Sequence, residues 1–372
     1  MRIGMVGYKF MGRAHSHAYR TAPYFFAIKD EVELAAVCGR DEQAVAEFAE
    51  QNGWQSYETK WQDLVARDDI HAIDIGTPNS SHFEISMAAA KAGKHILLEK
   101  PMAMSLDEAQ KMLLAAETAG IKHQIGFNYR RVPAIALAKS IIANGDIGEI
   151  VHWRAVYNQD WLVDPGVSLL WRLDKTVAGT GAIGDLASHI IDLAHYLVGP
   201  ISTVTGMTET FIEQRPLYEG STDFGRVTVD DCFAFLARFA NGATGTFEGT
   251  RLAAGRLNYN AFEVNGTKGS LAFNLERMNE LELYFSDDPV DRRGWRTIIV
   301  TDGDHPYVKA WWPPGHILGW EESHIHQVAD FLIAIEKNRS CDPDFAVGVQ
   351  NQAVLEALAL SADTGEWVQV GE

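Results

Sequence analysis

Positive charge is in short supply in this chain. Its 32 Lys and Arg stand against 50 Asp and Glu, a formal net charge of −18. Such an acidic chain offers no basic face to a phosphate backbone or an anionic bilayer, which argues against nucleic-acid and membrane partners. Cysteine is scarce as well. Cys38, Cys232 and Cys341 lie far apart with no C-x-x-C spacing, so no disulfide framework is expected and a reducing compartment fits. Long apolar runs are missing: no stretch approaches the ~20 residues of a membrane helix. The chain opens on the strand-like Arg2-Ile3-Gly4-Met5-Val6-Gly7 rather than on a charged and then apolar leader. No signal peptide is therefore expected, and the cytoplasm is the expected location. Internal repeats and low-complexity segments are absent too.

What is present is enough chain for two domains, at 372 residues. Up to about residue 127, short apolar strands alternate with helical stretches. Ile3–Val6, Leu34–Val37, Ala72–Ile75, Ile96–Leu98 and His123–Phe127 read as strands; Ala14–Tyr19, Glu42–Asn52, His82–Ala92 and Leu106–Ala119 read as helices. That alternation predicts βαβ units and a parallel sheet with helices on both faces. From residue 128 the pattern changes. A helix over Pro133–Asn144, a strand over Ile150–Tyr157 and a helix over Gly184–Leu197 come first. Then follow the β-like runs Val204–Phe211, Cys232–Phe239, Thr244–Arg251, Asn258–Asn265 and Gly266–Phe273, with helices over His324–Lys337 and Val347–Thr364. The expectation is an α/β dinucleotide-binding domain over 1–127. An α+β domain over 128–372 follows, with a mostly antiparallel sheet carrying helices on one face.

Gly7-Tyr8-Lys9-Phe10-Met11-Gly12 falls between the first strand and the first helix. Amides at such a helix start cradle a pyrophosphate, helped by the helix dipole. Lys9 stands where the dinucleotide fingerprint has its middle glycine, so the match is incomplete and a merely tight turn stays open. The second strand ends in Cys38-Gly39-Arg40-Asp41 rather than in an acid that would take ribose hydroxyls. Arg40 suits a 2′-phosphate or an adenine face, and Asp41 a ribose hydroxyl; a solvated turn is the alternative. Ile75-Gly76-Thr77-Pro78-Asn79 and His82 place Thr77, Asn79 and His82 at the carboxyl edge of the sheet, where ligands bind in open α/β folds.

Lys100, in Glu99-Lys100-Pro101 directly after the apolar run His95–Leu98, puts an ammonium group at a strand end. That placement makes sense where a cofactor and a substrate hydroxyl meet. Gly181-Ala182-Ile183-Gly184-Asp185-Leu186-Ala187-Ser188-His189-Ile190-Ile191-Asp192 sets Asp185 and His189 four apart, on one helical face, with Asp192 continuing it; a surface pair or a capped core histidine is the alternative. An imidazole with an ordinary pKa near ~6.5 can take a hydroxyl proton at neutral pH. A buried cation beside Asp185 would keep that carboxylate ionised. No third ligand with metal spacing stands out, so no metal is expected.

Together these residues resemble the family of glucose–fructose oxidoreductase, inositol dehydrogenase and related sugar dehydrogenases (Gfo/Idh/MocA), over essentially the whole chain. The marks are Gly7…Met11-Gly12-Arg13-Ala14-His15, Thr77-Pro78-Asn79, Glu99-Lys100-Pro101 and Gly181…Asp185…His189…Asp192. The resemblance implies a Rossmann domain plus a domain whose sheet is large and open-faced and serves substrate binding and oligomerisation. It also implies a catalytic set of Lys100, Asp185 and His189. Phe127-Asn128-Tyr129-Arg130-Arg131-Val132-Pro133-Ala134, Tyr157-Asn158-Gln159-Asp160-Trp161 and Leu170-Trp171-Arg172 look like the levoglucosan dehydrogenase-like branch. That branch implies a sugar site lined by Tyr129, Gln159 and Trp161, and oxidation at C3. It also implies NAD as cofactor, with NADP left open by Arg40. Glu99, Lys100, Asn128, Trp171 and Arg172 join Gly7, Phe10, Met11, Gly12, Arg40, Asp41, Thr77, Asn79 and His82 as cofactor candidates. The loop Trp311-Trp312-Pro313-Pro314-Gly315-His316 suits closure over a sugar or packing on a neighbouring subunit.

The leading expectation is an NAD(P)-dependent dehydrogenase of a sugar, anhydrosugar or cyclitol. Its partners would be that small molecule and further copies of itself, as a homodimer or homotetramer. Two alternatives differ in class: a glycoside hydrolase or lyase that retains NAD for transient 3-oxidation, and a non-catalytic sugar or nucleotide sensor. Cofactor stoichiometry separates the first from a dehydrogenase. The intact Lys100, Asp185 and His189 set speaks against the second.

Overall fold

The structure is a computed structural model and describes residues 1–371. In chain order the first elements are β1 (Arg2–Val6), α1 (Phe10–Phe25), β2 (Glu33–Cys38), α2 (Glu42–Asn52), β3 (Ser56–Glu58), α3 (Trp61–Val65), β4 (Ala72–Ile75), α4 (His82–Lys91), β5 (His95–Leu98), α5 (Leu106–Thr118) and β6 (His123–Ile125). Next come α6 (Pro133–Ala143), β7 (Ile150–Asn158), α7 (Lys175–Ala178), α8 (Ser188–Leu197), β8 (Ile201–Glu209), β9 (Gln214–Pro216), β10 (Phe224–Arg226), β11 (Cys232–Phe239), β12 (Thr244–Thr250), β13 (Tyr259–Gly266), β14 (Gly269–Asn274), β15 (Glu280–Phe285) and β16 (Arg296–Ile299). The chain closes with α9 (Trp320–Glu336), α10 (Phe345–Thr364) and β17 (Val368–Gln369).

Two compact units result. One takes Met1–Arg131 with Gly319–Val349, the other Val132–Leu318 with Gln350–Glu372, and the division falls within α10. The first is a parallel sheet in the order β3-β2-β1-β4-β5-β6. This is the doubly wound arrangement in which the strand order reverses beside β1, so that the turns after β1 and β4 share one edge. Its apolar strands are buried on both faces: Ala35, Ala36, Ile73, Ile75, Ile96 and Leu98 form one core with α4 and α5 residues such as Ile85 and Met112. Helix α9, which the sequence places after the 127/128 boundary, belongs to this unit. It packs along α1, and its Asp330, His326 and Gln327 bond Arg131 Nε (2.9 Å), the Arg131 carbonyl (2.8 Å) and Gln124 Nε2 (3.0 Å).

The second unit is built on a sheet in the order β16-β15-β14-β13-β7-β12-β11-β8-β17. Every pairing is antiparallel except β7 with β12. Along β11 the residues alternate: Phe233, Phe235, Ala237 and Phe239 are buried while Ala234, Leu236 and Arg238 are exposed. Such period-two burial means one face packs and the other stays open. On the packed face aromatic rings meet across strands. Phe235 stacks on its register partner Phe247 at 4.3 Å, and Phe262 on its partner Phe273 at 5.4 Å. Helices α6 and α8 pack on the sheet.

The α/β class and the two sheets agree with expectation, while several edge elements do not appear in the sequence pattern. β3, β9, β10, β16 and β17 run only two to four residues, too short for a period-two signal. In β15, Leu281 and Leu283 alternate with Glu280 and Glu282, a strand signature hidden by its charges. No helix among the described residues is long and apolar enough to cross a membrane.

Candidate functional site

The cofactor end is assembled from three strand ends of the first unit. Gly7 N–H donates to the Cys38 carbonyl (3.0 Å) and Gly76 N–H to the Val6 carbonyl (2.9 Å), bringing the turns after β1, β2 and β4 together. Gly7 has φ +107°, and a Cβ there would lie 2.6 Å from the Gly76 carbonyl oxygen. At Gly12 a Cβ would lie 2.5 Å from the Gly7 carbonyl. Both positions therefore require glycine for backbone reasons. Lys9, in place of the fingerprint's middle glycine, is the N-cap of α1 and makes no side-chain cap bond. The helix thus starts with its amides uncapped by a side chain, and this glycine-lined start fits the pyrophosphate of a dinucleotide. Met11 and Phe10 open the helix, with Phe10 exposed and stacked on Trp320 of α9 at 5.4 Å.

The other expected cofactor contacts divide. Arg40 is exposed at the end of β2, whereas Asp41 caps α2 by accepting from Ala44 N–H at 3.0 Å. Ser81 Oγ donates to Thr77 Oγ1 at 2.7 Å, and Asn79 is buried in the short turn that follows. His82 is fully buried, with Nε2 at 2.9 Å from the Thr77 carbonyl and Nδ1 at 3.0 Å from the Pro101 carbonyl. Burial pushes its pKa down against the partial pull of those carbonyls. The imidazole is therefore a tie between the Thr77 and Lys100 turns. Lys100 itself is half-buried, follows β5 by way of Glu99, precedes a cis Lys100–Pro101 bond, and its N–H donates to Glu99 Oε2 at 3.3 Å. Asn128 and Tyr129 lie buried in a short 3-10 turn after β6, where the Asn128 amide reaches Ser323 Oγ at 2.8 Å.

The second unit carries the rest. Asp185 sits in a π-helical turn, Ile183–Ala187, which leads directly into α8 with His189 and Asp192. The sequence predicts one regular helix from Gly184; the wide turn is held open by Asp230, whose carboxylate accepts from Gly181 N–H (2.6 Å) and Ile183 N–H (2.8 Å). Such π-turns mark functional stretches of helix. Gly181 is required there, since a Cβ would collide with the Asp230 carbonyl. His189 is buried, its ring 5.9 Å from Tyr157 at an edge-on angle.

Gln159 and Trp161 are bonded to each other. Trp161 Nε1 donates to Gln159 Oε1 at 2.9 Å, and Gln159 Nε2 donates to Asn258 Oδ1 at 2.9 Å, which also accepts from Tyr157 O–H at 2.8 Å. The network fixes the indole plane as an apolar platform of the kind a sugar ring packs on. Trp171 and Arg172 occupy a 3-10 turn, with the guanidinium 4.4 Å over the indole. In the aromatic loop, Trp312 is exposed and His316 Nδ1 folds back on the Pro313 carbonyl at 2.8 Å.

Several contributors escape the sequence motifs. Arg251 is a buried cation beside Asp185: its Nη1 lies 4.0 Å from Asp185 Oδ2, its Nη2 donates to the Asp230 carbonyl at 2.9 Å, and it faces the Trp161 ring at 5.8 Å. Asn258 completes the Gln159 network, and His15, Asp74 and His324 surround Glu99 in the first unit. Of these only His15 stands inside a quoted motif. Among the described residues no cluster of His, Cys, Asp and Glu is arranged to hold a metal.

Comparison with known proteins agrees with this geometry. Residues 1–127 match the oxidoreductase family with the NAD-binding Rossmann fold, and residues 135–272 match the GFO/IDH/MocA C-terminal domain. Levoglucosan dehydrogenase of Pseudarthrobacter phenanthrenivorans is 43% identical over 383 residues, covering 100% of this chain and 98% of that protein. The crystal structure of an oxidoreductase domain protein from Kribbella flavida is 48% identical with a TM-score of 0.96, over 100% of this chain and 99% of that one. A levoglucosan dehydrogenase structure in complex with NADH and levoglucosan is 43% identical with a TM-score of 0.97, over 100% of both chains. With a glycine-lined dinucleotide cradle, both family domains and full-length relatives in hand, this chain belongs to the Gfo/Idh/MocA family and is an oxidoreductase with an NAD-binding Rossmann domain.

Proposed function

We propose that the chain oxidises one ring hydroxyl, at C3, of a sugar, an anhydrosugar such as levoglucosan, or a cyclitol. The observation that carries this reading is the second unit's cluster: Asp185 and His189 on consecutive helical turns, with the Gln159–Trp161 pair in the same unit. Full-length similarity to levoglucosan dehydrogenase supports it. NAD, when bound, supplies the hydride acceptor. His189 accepts the hydroxyl proton, Lys100 polarises the same oxygen, and Asp185 steadies the histidine or a neighbouring hydroxyl. Trp161 offers its face to the ring, while Gln159 and Tyr129 hydrogen-bond hydroxyls. These residues bind and orient; the cofactor carries the hydride.

The test is a spectrophotometric screen with NAD and NADP against levoglucosan, glucose, galactose, xylose and inositols. One NADH formed per sugar oxidised is the expected result. Sugar consumed with no net NADH, by protein that copurifies with NAD, would instead reveal the hydrolase or lyase chemistry, and tight cofactor binding without any turnover a sensor.

The same reading covers assembly and location. The open sheet face leaves Leu236 and Met207 about half exposed, and a second copy covers that face in a homodimer or homotetramer. Light scattering on the purified chain tests this. The free thiols of Cys38, Cys232 and Cys341 suit a reducing cytoplasm.

A further inference from the structure

Behind the Lys100 turn lie three buried ionisable side chains that the proposed proton transfers do not use. His15 of α1 is 1% exposed; its Nδ1 is 2.9 Å from both oxygens of Asp74 on β4, and its Nε2 is 3.2 Å from Glu99 Oε1 at the end of β5. The first contact is a hydrogen bond and the second an ion pair. A lone pair on Nε2 would face the Glu99 oxygen with repulsion, so the arrangement suits an imidazolium with a proton on each nitrogen. Burial disfavours that charge, but Asp74 and Glu99 outweigh it and raise the pKa to about 10. Glu99 is in turn held below the ordinary carboxylate range: burial pushes it up, and His15, with smaller pulls from His324 and Lys100, outweighs this.

The remaining neighbours respond to these charges. The ring of His324 from α9 is 5.5 Å away and stays neutral, pushed down to about 3 by burial and by the His15 cation. Tyr19, one turn along α1, is buried and raised by burial and by Asp74. Lys100 adds a weaker pull on Glu99. The same Glu99 oxygen that faces His15 also lies against the Gly126 backbone, where a Cβ would come 2.5 Å from Oε1.

A buried acid–base–acid set is a poor stabilising device, since well-packed apolar residues generally do as well or better. Its elements suggest a different use. α1 begins at the glycine turn, β4 leads into the Thr77–Asn79 turn, and β5 leads through Glu99 into Lys100. Glu99 joins the set to the last of these, accepting from Lys100 N–H through its second oxygen.

We propose that His15 is a positioning residue for the dehydrogenase reaction: bridging Asp74 and Glu99, it fixes the Glu99 carboxylate, which holds the Lys100 backbone and so sets where the ammonium group lies. The inference rests on the functional reading above, in which Lys100 polarises the reacting oxygen.

The test compares full-length wild type with His15→Leu, His15→Gln and Glu99→Gln. Turnover and NADH affinity are read together with the resonance of reductively 13C-methylated Lys100, identified by its loss in Lys100→Arg. In His15→Leu we expect kcat to fall about 10- to 100-fold, the range a misplaced catalytic group gives. NADH affinity and sugar KM should stay within about threefold, because the chain's cofactor cradle is not touched. The Lys100 resonance should move in His15→Leu and Glu99→Gln, and His15→Gln should recover part of both effects. A Lys100 resonance unchanged in folded His15→Leu overturns the proposal, as does a loss of NADH affinity in proportion to kcat. If His15→Leu does not fold, His15→Gln decides on the same criteria and Glu99→Gln on the Lys100 resonance. Absence of sugar oxidation by the wild type sinks the functional reading instead, and the Lys100 resonance still tests His15.

Discussion

Arg251 Nη1 lies 4.0 Å from Oδ2 of Asp185, the arginine wholly buried and the carboxylate side chain 26% exposed. The two are 66 residues apart in the chain (251 − 185), yet the same guanidinium bonds the Asp230 carbonyl, whose own carboxylate caps the π-turn that carries Asp185. Cation, cap and catalytic candidate are thereby one mechanical unit.

Arg251→Leu should lower kcat by about 10- to 100-fold and reduce the melting temperature by several degrees, because Asp185 loses its cation and the Asp230 carbonyl a donor. Arg251→Lys keeps the charge without the planar fork, so it should recover part of the rate. Steady-state kinetics and thermal melts of both variants check this.

Lys100→Ala and His189→Ala should each lose about 10²- to 10⁴-fold in kcat, the usual contribution of a positioned proton-transfer group. NADH affinity, followed by fluorescence titration, should change little in either variant. Near-normal rates in both would sink the proposed mechanism.

Gln159→Leu removes the acceptor of the Trp161 indole N–H and the donor to Asn258. Two half-buried polar groups lose a partner, at about 1 kcal/mol each. The expected result is a rise of roughly tenfold or more in sugar KM with NADH affinity unchanged, measured by initial rates over a range of sugar concentrations.

Gly7→Ala places a Cβ 2.6 Å from the Gly76 carbonyl at a backbone φ of +107°. It should cost about 1–3 kcal/mol of stability and weaken NADH binding, because the turn that presents the α1 amides must move. Denaturant melts and NADH titration test the two effects separately.

Stability should be greatest near neutral pH. His324 and His326, pushed down by burial to about 3 and about 4, are protonated more readily in the unfolded chain. Their contribution is complete above about pH 6.5 and is lost as pH falls toward those values. His15 has the opposite sign: raised to about 10, it contributes fully below about pH 6.5 and loses that contribution as pH climbs through its folded value. Melting temperatures between pH 4 and 10 should fall on both sides. His324→Gln should flatten the acid limb.

Much of this molecule is legible in one dimension. Apolar runs such as Ala72–Ile75, separated by helical stretches such as Glu42–Asn52, foretell the parallel sheet, because a βαβ unit repeats locally. Gly7 and Gly12 announce a turn that only glycine permits, and Phe233, Phe235, Ala237 and Phe239 announce a sheet packed on one face. The short edge strands stay hidden, having too few residues to show a period, and the last turn of α1 is missed because Pro23 within it reads as a helix stop.

The sequence by itself determined which residues open and close the elements: the glycine turn, the Glu99-Lys100-Pro101 strand end, and Asp185 and His189 one helical turn apart. Backbone geometry over a few residues settles those. Tertiary structure alone decided that Arg251 stands beside Asp185, that Asn258 completes the Gln159–Trp161 network, that His15 bridges Asp74 and Glu99, and that α9 joins the first unit. Those neighbours are brought together by strand order, sheet register and helix packing, and spacing along the chain carries no trace of them.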